Sequence, residues 1–341
     1  PDSPFFNQTT SKGDIAEYVD IVEPYNFSDI SSGILKSDLN SPLYYWILNI
    51  IYSLFGISIY GGTIVNIILT LLIGIVLYFF VLKSSNRTYL ALGSTAIFLF
   101  SPAVLHISLE SRSLALYGLF TILYAIMVYK ICWKQYLLSD YLILGLIGFL
   151  GLTNQFFFIT VIAGGGLFIL IIQGFRKWKQ LGAYTITVIV SCIVSFLVFP
   201  VYQSLIATFQ KSNSMASGVQ ATLIEKVKTT VYACLEFFAA GHYMRYIALL
   251  FLVTFTIVLA GKITRNKFKI NKKGMAFFGL FFAFWNAITM TIPYLIGIIP
   301  PAVGEQYFMH TWPFLALLTT CALIYLKTPK LIISTYISLL L

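Results

Sequence analysis

The sequence predicts an all-α polytopic membrane protein, a bundle of transmembrane helices with amphipathic helices lying on its outer face. Three observations carry that prediction. Apolar residues make up 59% of the 341 residues and charged ones only 10%, and the mean hydropathy is +0.87; a soluble core has no use for so much apolar surface. The apolar residues gather into windows close to the roughly 20 residues that a bilayer crossing needs. Basic residues collect in alternate short loops, as the positive-inside rule expects of a chain that crosses back and forth.

The windows cover residues 62–82, 89–105, 113–131, 138–151, 155–173, 181–203, 244–261, 274–299 and 309–326, and a last one opens at 331, which predicts nine to ten crossings. Between them, Lys83 and Arg87, Lys130 and Lys134, Arg176, Lys177 and Lys179, the six bases from Lys262 to Lys273, and Lys327 and Lys330 account for most of the 22 basic residues. Asp140 is the only acid on that face, and the other acids fall in residues 1–61 and around 103–112, 204–243 and 300–308. The net charge of +10 is therefore a topology signal. Dispersed over five short loops, it does not form a nucleic-acid surface.

Counting back from the basic loop at 83–88 makes residues 1–61 an extracytoplasmic first loop with juxtamembrane helices. Residues 62–341 are then the helix bundle, with a second outer loop at 204–243. Within the first loop, Asp14–Val22 has apolar spacings of three and four and stops at Pro24, which predicts a short helix roofing the bundle. The segment 42–55 is short for a span, and Tyr44, Tyr45, Trp46, Tyr52 and Phe55 suit a helix in the outer interface, with a short tilted span as the alternative. The 204–243 loop has a Ser/Asn stretch and then a charged, apolar segment from Leu223 to Phe238, which reads as a lid or a second interfacial helix. Residue 1 opens into polar sequence without Met and the last residues are apolar, so a further crossing is expected at each end. Cys132, Cys192, Cys234 and Cys321 show no metal or redox spacing and read as apolar filler.

One stretch stands out chemically. From Ser101 to Arg112 the chain places His106, Glu110 and Arg112 between two apolar windows. Holding charge near a bilayer costs several kcal/mol unless there is a partner or a watery cavity. The pattern predicts a helix starting near Leu109, capped by Ser108, with Glu110 in its first turn where the helix dipole favours an acid. Arg112 at such an end needs an acid or an anion as partner. Glu110 and Arg112 can satisfy one another, although two residues apart on a helix they do not share a face. His106 reads as an interfacial side chain more than a ligand. Tyr307 and His310 open a helix on the outer side, where substrate lining and an aromatic belt are equal readings. Asn154 and Gln155 occupy a tight outer turn, either lining a pocket or serving only as polar turn residues.

Four segments together resemble a family. Asn40-Ser41-Pro42-Leu43-Tyr44-Tyr45 with Phe55-Gly56, the run from Ser101 to Arg112, Gly151-Leu152-Thr153-Asn154-Gln155-Phe156, and Glu305-Gln306-Tyr307 with Trp312-Pro313-Phe314-Leu315 are similar, in order and spacing, to motifs of the family 39-like glycosyltransferases of the GT-C class. The resemblance implies transfer of a sugar from a polyprenyl-phosphate carrier to an acceptor lipid, glycan or protein on the extracytoplasmic face of the membrane. It also implies a catalytic acid in the first outer loop. Asp2 matches that acid, whereas Ser3 replaces a frequent second one, and Asn40, Ser41 and Asn154 replace the family's His, Pro and His. On this reading Asp2 is the base and Arg112 holds the donor phosphate, while Glu110 orients Arg112, contacts the acceptor, or shares a divalent cation with Asp2. Whether a metal takes part stays open. The Ile-, Lys- and Asn-rich wording suggests a bacterial plasma membrane. Two other classes share the lipid donor or the outer mouth: a lipid-linked sugar flippase or transporter, and a membrane polysaccharide polymerase.

Overall fold

The computed structural model describes residues 27, 42–56, 58, 60–110, 112–133, 137–198, 275–295 and 310–326. Asp2, Tyr307, Cys234, the predicted roof helix at 14–22, the 204–243 loop and the windows at 244–261 and from 331 lie outside the described residues. Every regular element among the described residues is helical. The chain is an all-α membrane protein.

The first helix, α1 (Leu43–Phe55), is 13 residues long and ends at Gly56, whose φ of 83° lies where a side chain is disfavoured. At a rise of about 1.5 Å per residue it spans about 20 Å, short of a hydrocarbon core of about 30 Å. Tyr44 and Tyr52 of α1 both reach the start of the next helix, α2 (Gly61–Ser85). The Tyr44 hydroxyl lies 3.4 Å from the Gly62 carbonyl, and the Tyr52 ring covers Gly61, where an added Cβ would collide with it. The second helix is long and apolar enough to cross a membrane. Its outward side chains Ile64, Ile68, Leu71, Ile75 and Phe79 are exposed apolar groups, and it stops at Asn86 in the left-handed conformation.

The window at 89–105 is not one straight span. It divides into α3 (Thr88–Leu99) and α4 (Pro102–Leu109), bent by 54°. The cause is local: Pro102 has no N–H to donate, and it drives Ser101 out of the helical region to φ −64°, ψ 130°. Beyond α4 come α5 (Leu114–Trp133), α6 (Leu138–Asn154) and α7 (Phe158–Gln173). A short 3-10 turn (Gly174–Lys177) then leads into α8 (Trp178–Val198), and α9 (Met275–Leu295) and α10 (Trp312–Leu326) complete the described elements.

The centre of the bundle is α5, which packs against α2, α6 and α7. Leu116, Tyr117, Ile122, Tyr124, Ala125 and Val128 point in several directions around it and are all buried, the sign of a helix enclosed on every side. In contrast, α8 leaves Ile186, Ile189, Val190, Ile193 and Leu197 exposed. Phe278 and Phe282 of α9 pack on Phe168 of α7, and Phe314 of α10 packs on both of them, stacked on Phe282 at 5.2 Å. The carboxylate of Asp140 ties two elements together: it accepts from Lys130 Nζ at 2.5 Å and from the Leu137 N–H at 2.9 Å, joining the end of α5 to the start of α6. Cys132, Cys192 and Cys321 are free thiols, in keeping with a packing role.

Close helix approach rests on small residues. A Cβ at Gly165 of α7 would meet Tyr184 Oη at 2.8 Å, Val128 Cγ2 at 2.9 Å and Tyr124 Cε1 at 3.0 Å, whereas at Gly182 of α8 it would meet nothing within 4 Å. Overpacking of this kind costs about 1–3 kcal/mol. Gly165→Ala should therefore lower the thermal unfolding midpoint of the detergent-solubilised protein, while Gly182→Ala should leave it unchanged or raise it slightly. Equal behaviour of the two variants would contradict this packing.

Candidate functional site

The site is built on the turn joining α4 to α5. Contrary to the sequence expectation, no helix begins near Leu109: α4 ends there, Glu110 is its C-terminal flanking residue, and α5 begins at Leu114. The Ser108 hydroxyl does not cap a new helix but donates back to the Leu105 carbonyl at 2.7 Å. The physical reason is Pro102, which starts a separate short helix and so moves the next start downstream. The Arg112 N–H donates to the Glu110 carbonyl at 3.0 Å, a tight reversal that brings the two side chains together as a helix would not. Arg112 Nε lies 3.8 Å from Glu110 Oε2, and His106 Nδ1 lies 3.6 Å from Glu110 Oε1, so Glu110 stands between a guanidinium and an imidazole. The Glu110 side chain is 22% exposed, that of Arg112 50% and that of His106 70%. Such open pairs contribute little to stability, about 0–1 kcal/mol.

The turn itself is held from two other helices. Thr63 Oγ1 of α2 donates to the Leu109 carbonyl at 3.1 Å, and Asn66 Nδ2, one turn further along α2, donates to the Arg112 carbonyl at 2.9 Å and also to the Glu110 carbonyl. Asn154 Nδ2 at the end of α6 donates to the Ser113 carbonyl at 3.2 Å. Asn66 and Asn154 are completely buried. Sequence reasoning missed Thr63 and Asn66, although a lone Asn inside the apolar run Ile64–Leu72 was a signal, since polar side chains in spans are costly and tend to face the bundle interior.

His310 joins this end of the bundle. Its ring packs on Tyr117 of α5 at 4.8 Å, and Tyr117 also touches Phe158 at the start of α7, at 6.0 Å. His310 is fully buried, so an exposed aromatic-belt position does not describe it. Asn154 and Gln155 are also buried rather than solvated turn residues. The structure thus brings Glu110, Arg112, His106, Asn154, Gln155 and His310 to one end of the bundle, while Lys83, Lys130, Asp140 and Lys177 lie at the opposite helix ends. Among the described residues no group of three or more His, Cys, Asp or Glu side chains is placed to hold a metal ion.

Residues 40–200 match the family model described as dolichyl-phosphate-mannose-protein mannosyltransferase, so this part of the chain is similar to that family. The matched span contains α1 to α8 and the whole of the turn from Leu109 to Ser113. No curated protein and no solved structure gives a significant match to the chain.

Asn66→Leu keeps the volume and removes the donor to both carbonyls, leaving buried acceptors unmet at a cost of about 1–3 kcal/mol. A nitroxide attached through Leu109→Cys should give a more mobile electron-spin-resonance line shape in the Asn66→Leu background. An unchanged spectrum would mean that other contacts hold the turn.

Proposed function

We propose that the protein transfers a glycosyl group from a polyprenyl-phosphate carrier to an acceptor on the extracytoplasmic face of the membrane. The observation that carries this reading is the match to the mannosyltransferase family over residues 40–200, which spans the Glu110–Arg112 turn. The positive-inside rule supports the side: the helix ends opposite the turn carry Lys83, Lys130 and Lys177, so the turn faces outward. Mannose is the sugar that the family's description favours. The acceptor is a lipid, glycan or protein hydroxyl.

The chemistry follows from charge. In the donor, the anomeric carbon is bound to a phosphodiester oxygen. The acceptor oxygen attacks that carbon, the carbon–oxygen bond to phosphate breaks, and the bonding electron pair leaves with the polyprenyl phosphate, which gains negative charge. Asp2 takes the acceptor's proton as general base. Arg112 is suited to the departing phosphate, because a guanidinium can donate two parallel hydrogen bonds to it and because stabilising charge that develops in the transition state lowers the barrier directly. Glu110, 3.8 Å from Arg112 Nε, orients the guanidinium. His106, on the exposed side of Glu110, lies at the edge of the site and is placed to line the donor's entry. Tyr307 and His310 line the substrate on this reading.

Arg112→Ala should lower kcat by about 10²–10³-fold, the range seen when one preorganised charge-stabilising donor is lost. Arg112→Lys should recover only part of that, since an ammonium lacks the planar fork. Asp2→Ala should abolish transfer in membranes supplied with polyprenyl-phosphate mannose while protein levels stay normal. Full turnover in both alanine variants would remove these residues from the mechanism. Carrier translocation without formation of a glycoside would favour a flippase instead.

A further inference from the structure

Several buried side chains at the Glu110 end of the bundle carry polar atoms that meet no hydrogen-bond partner among the described residues: Asn154 Oδ1, Gln155 Oε1, both amide atoms of Asn286, and Thr311 Oγ1. Asn154, Asn286 and Thr311 are fully buried and Gln155 is 4% exposed. Folded proteins leave few such groups unmet, because each costs about 1–3 kcal/mol when it loses water without replacement.

Their placement is consistent. Asn154 grips the Ser113 carbonyl, which also accepts from the Tyr117 N–H at 3.0 Å, and Tyr117 lies against His310, the neighbour of Thr311. Asn286 follows Trp285, whose Nε1 donates at 2.8 Å to the Thr160 carbonyl beside Phe158. Phe158 in turn touches Tyr117. One turn before Asn286, Phe282 stacks on Phe314, one turn after His310. Residues from α6, α9 and the start of α10 thus reach the same level of the bundle as the Glu110–Arg112 turn.

We propose that Asn154, Gln155, Asn286 and Thr311 form a subsite for an uncharged, hydroxyl-rich group, the glycosyl moiety of the lipid-linked donor; this rests on the donor reading above. The chemistry of the set decides the ligand class. Amides and a threonine hydroxyl both donate and accept, as sugar hydroxyls require. No cation belongs to the set, so it is unsuited to phosphate, which falls to Arg112. The site thus separates the two halves of the donor, and Asn286 and Thr311 determine which sugar is held.

The test measures binding of the purified full chain, in nanodiscs, to bare polyprenyl phosphate and to polyprenyl phosphate bearing mannose, glucose or arabinose. The wild type should prefer at least one glycosylated carrier over the bare one. Asn286→Leu and Thr311→Val should each reduce that preference about tenfold, the equivalent of one lost buried hydrogen bond. Affinity for the bare carrier should stay unchanged, and Thr311→Ser should restore the preference. Variants that keep the preference, a wild type that binds all carriers alike, or equal loss of every carrier in both Thr311→Val and Thr311→Ser would each overturn the subsite and leave the donor reading standing. A wild type that binds no carrier would overturn both.

Discussion

Everything at the Glu110 end depends on how the chain satisfies its own backbone between α4 and α5. A helix break inside or beside a bilayer exposes carbonyls that water cannot reach, and an unmet one costs several kcal/mol. Here the carbonyls of Leu109, Glu110, Arg112 and Ser113 accept from Thr63, Asn66 and Asn154, side chains of two other helices. The break is therefore tolerated, and it is also fixed in place. A straight helix through this region would have needed none of these donors, and it would have separated Glu110 from Arg112.

The same break explains why two opposite charges can stand together at the edge of an apolar bundle. Glu110 lies between Arg112 and His106, and the exposure of Arg112 keeps its guanidinium within reach of the surroundings. A fully buried arrangement would have carried a large desolvation penalty. A fully exposed one would have lost the strengthening that low dielectric gives to charge-assisted hydrogen bonds with an anion. The turn occupies the intermediate position.

Much of this was legible in the sequence. The apolar windows foretold α2, α5, α6, α7 and α8 to within a few residues at most ends, because a membrane span needs only length and composition to be recognised. Among the described helices the alternation of basic loops agrees with the packing, since Lys83, Lys130 and Lys177 lie at the ends opposite the Leu109–Ser113 turn. The bend between α3 and α4 was less legible, since apolar content alone runs through Ser101-Pro102 without a pause, although the proline held the clue. Misreading that break also misplaced the next helix start by about five residues, and with it the setting of Glu110 and Arg112. Asn286 and Thr311 were invisible for a different reason: which polar side chain faces the interior depends on tertiary contacts between helices far apart in the chain.

The contrast between α5 and α8 has a consequence for how this protein can vary. Both helices are rich in apolar residues, yet one is clasped on all sides and the other presents Ile186, Ile189, Ile193 and Leu197 outward. Along α5, a substitution has to reproduce a shape as well as a polarity, because its neighbours leave no room to adjust. Along the outward side of α8, hydrocarbon is a liquid that accepts any contour, so one aliphatic residue can drift into another at almost no cost. Two helices that composition cannot distinguish should thus diverge at very different rates among related chains, with α5 retaining its residues long after the outer surface of α8 has been rewritten.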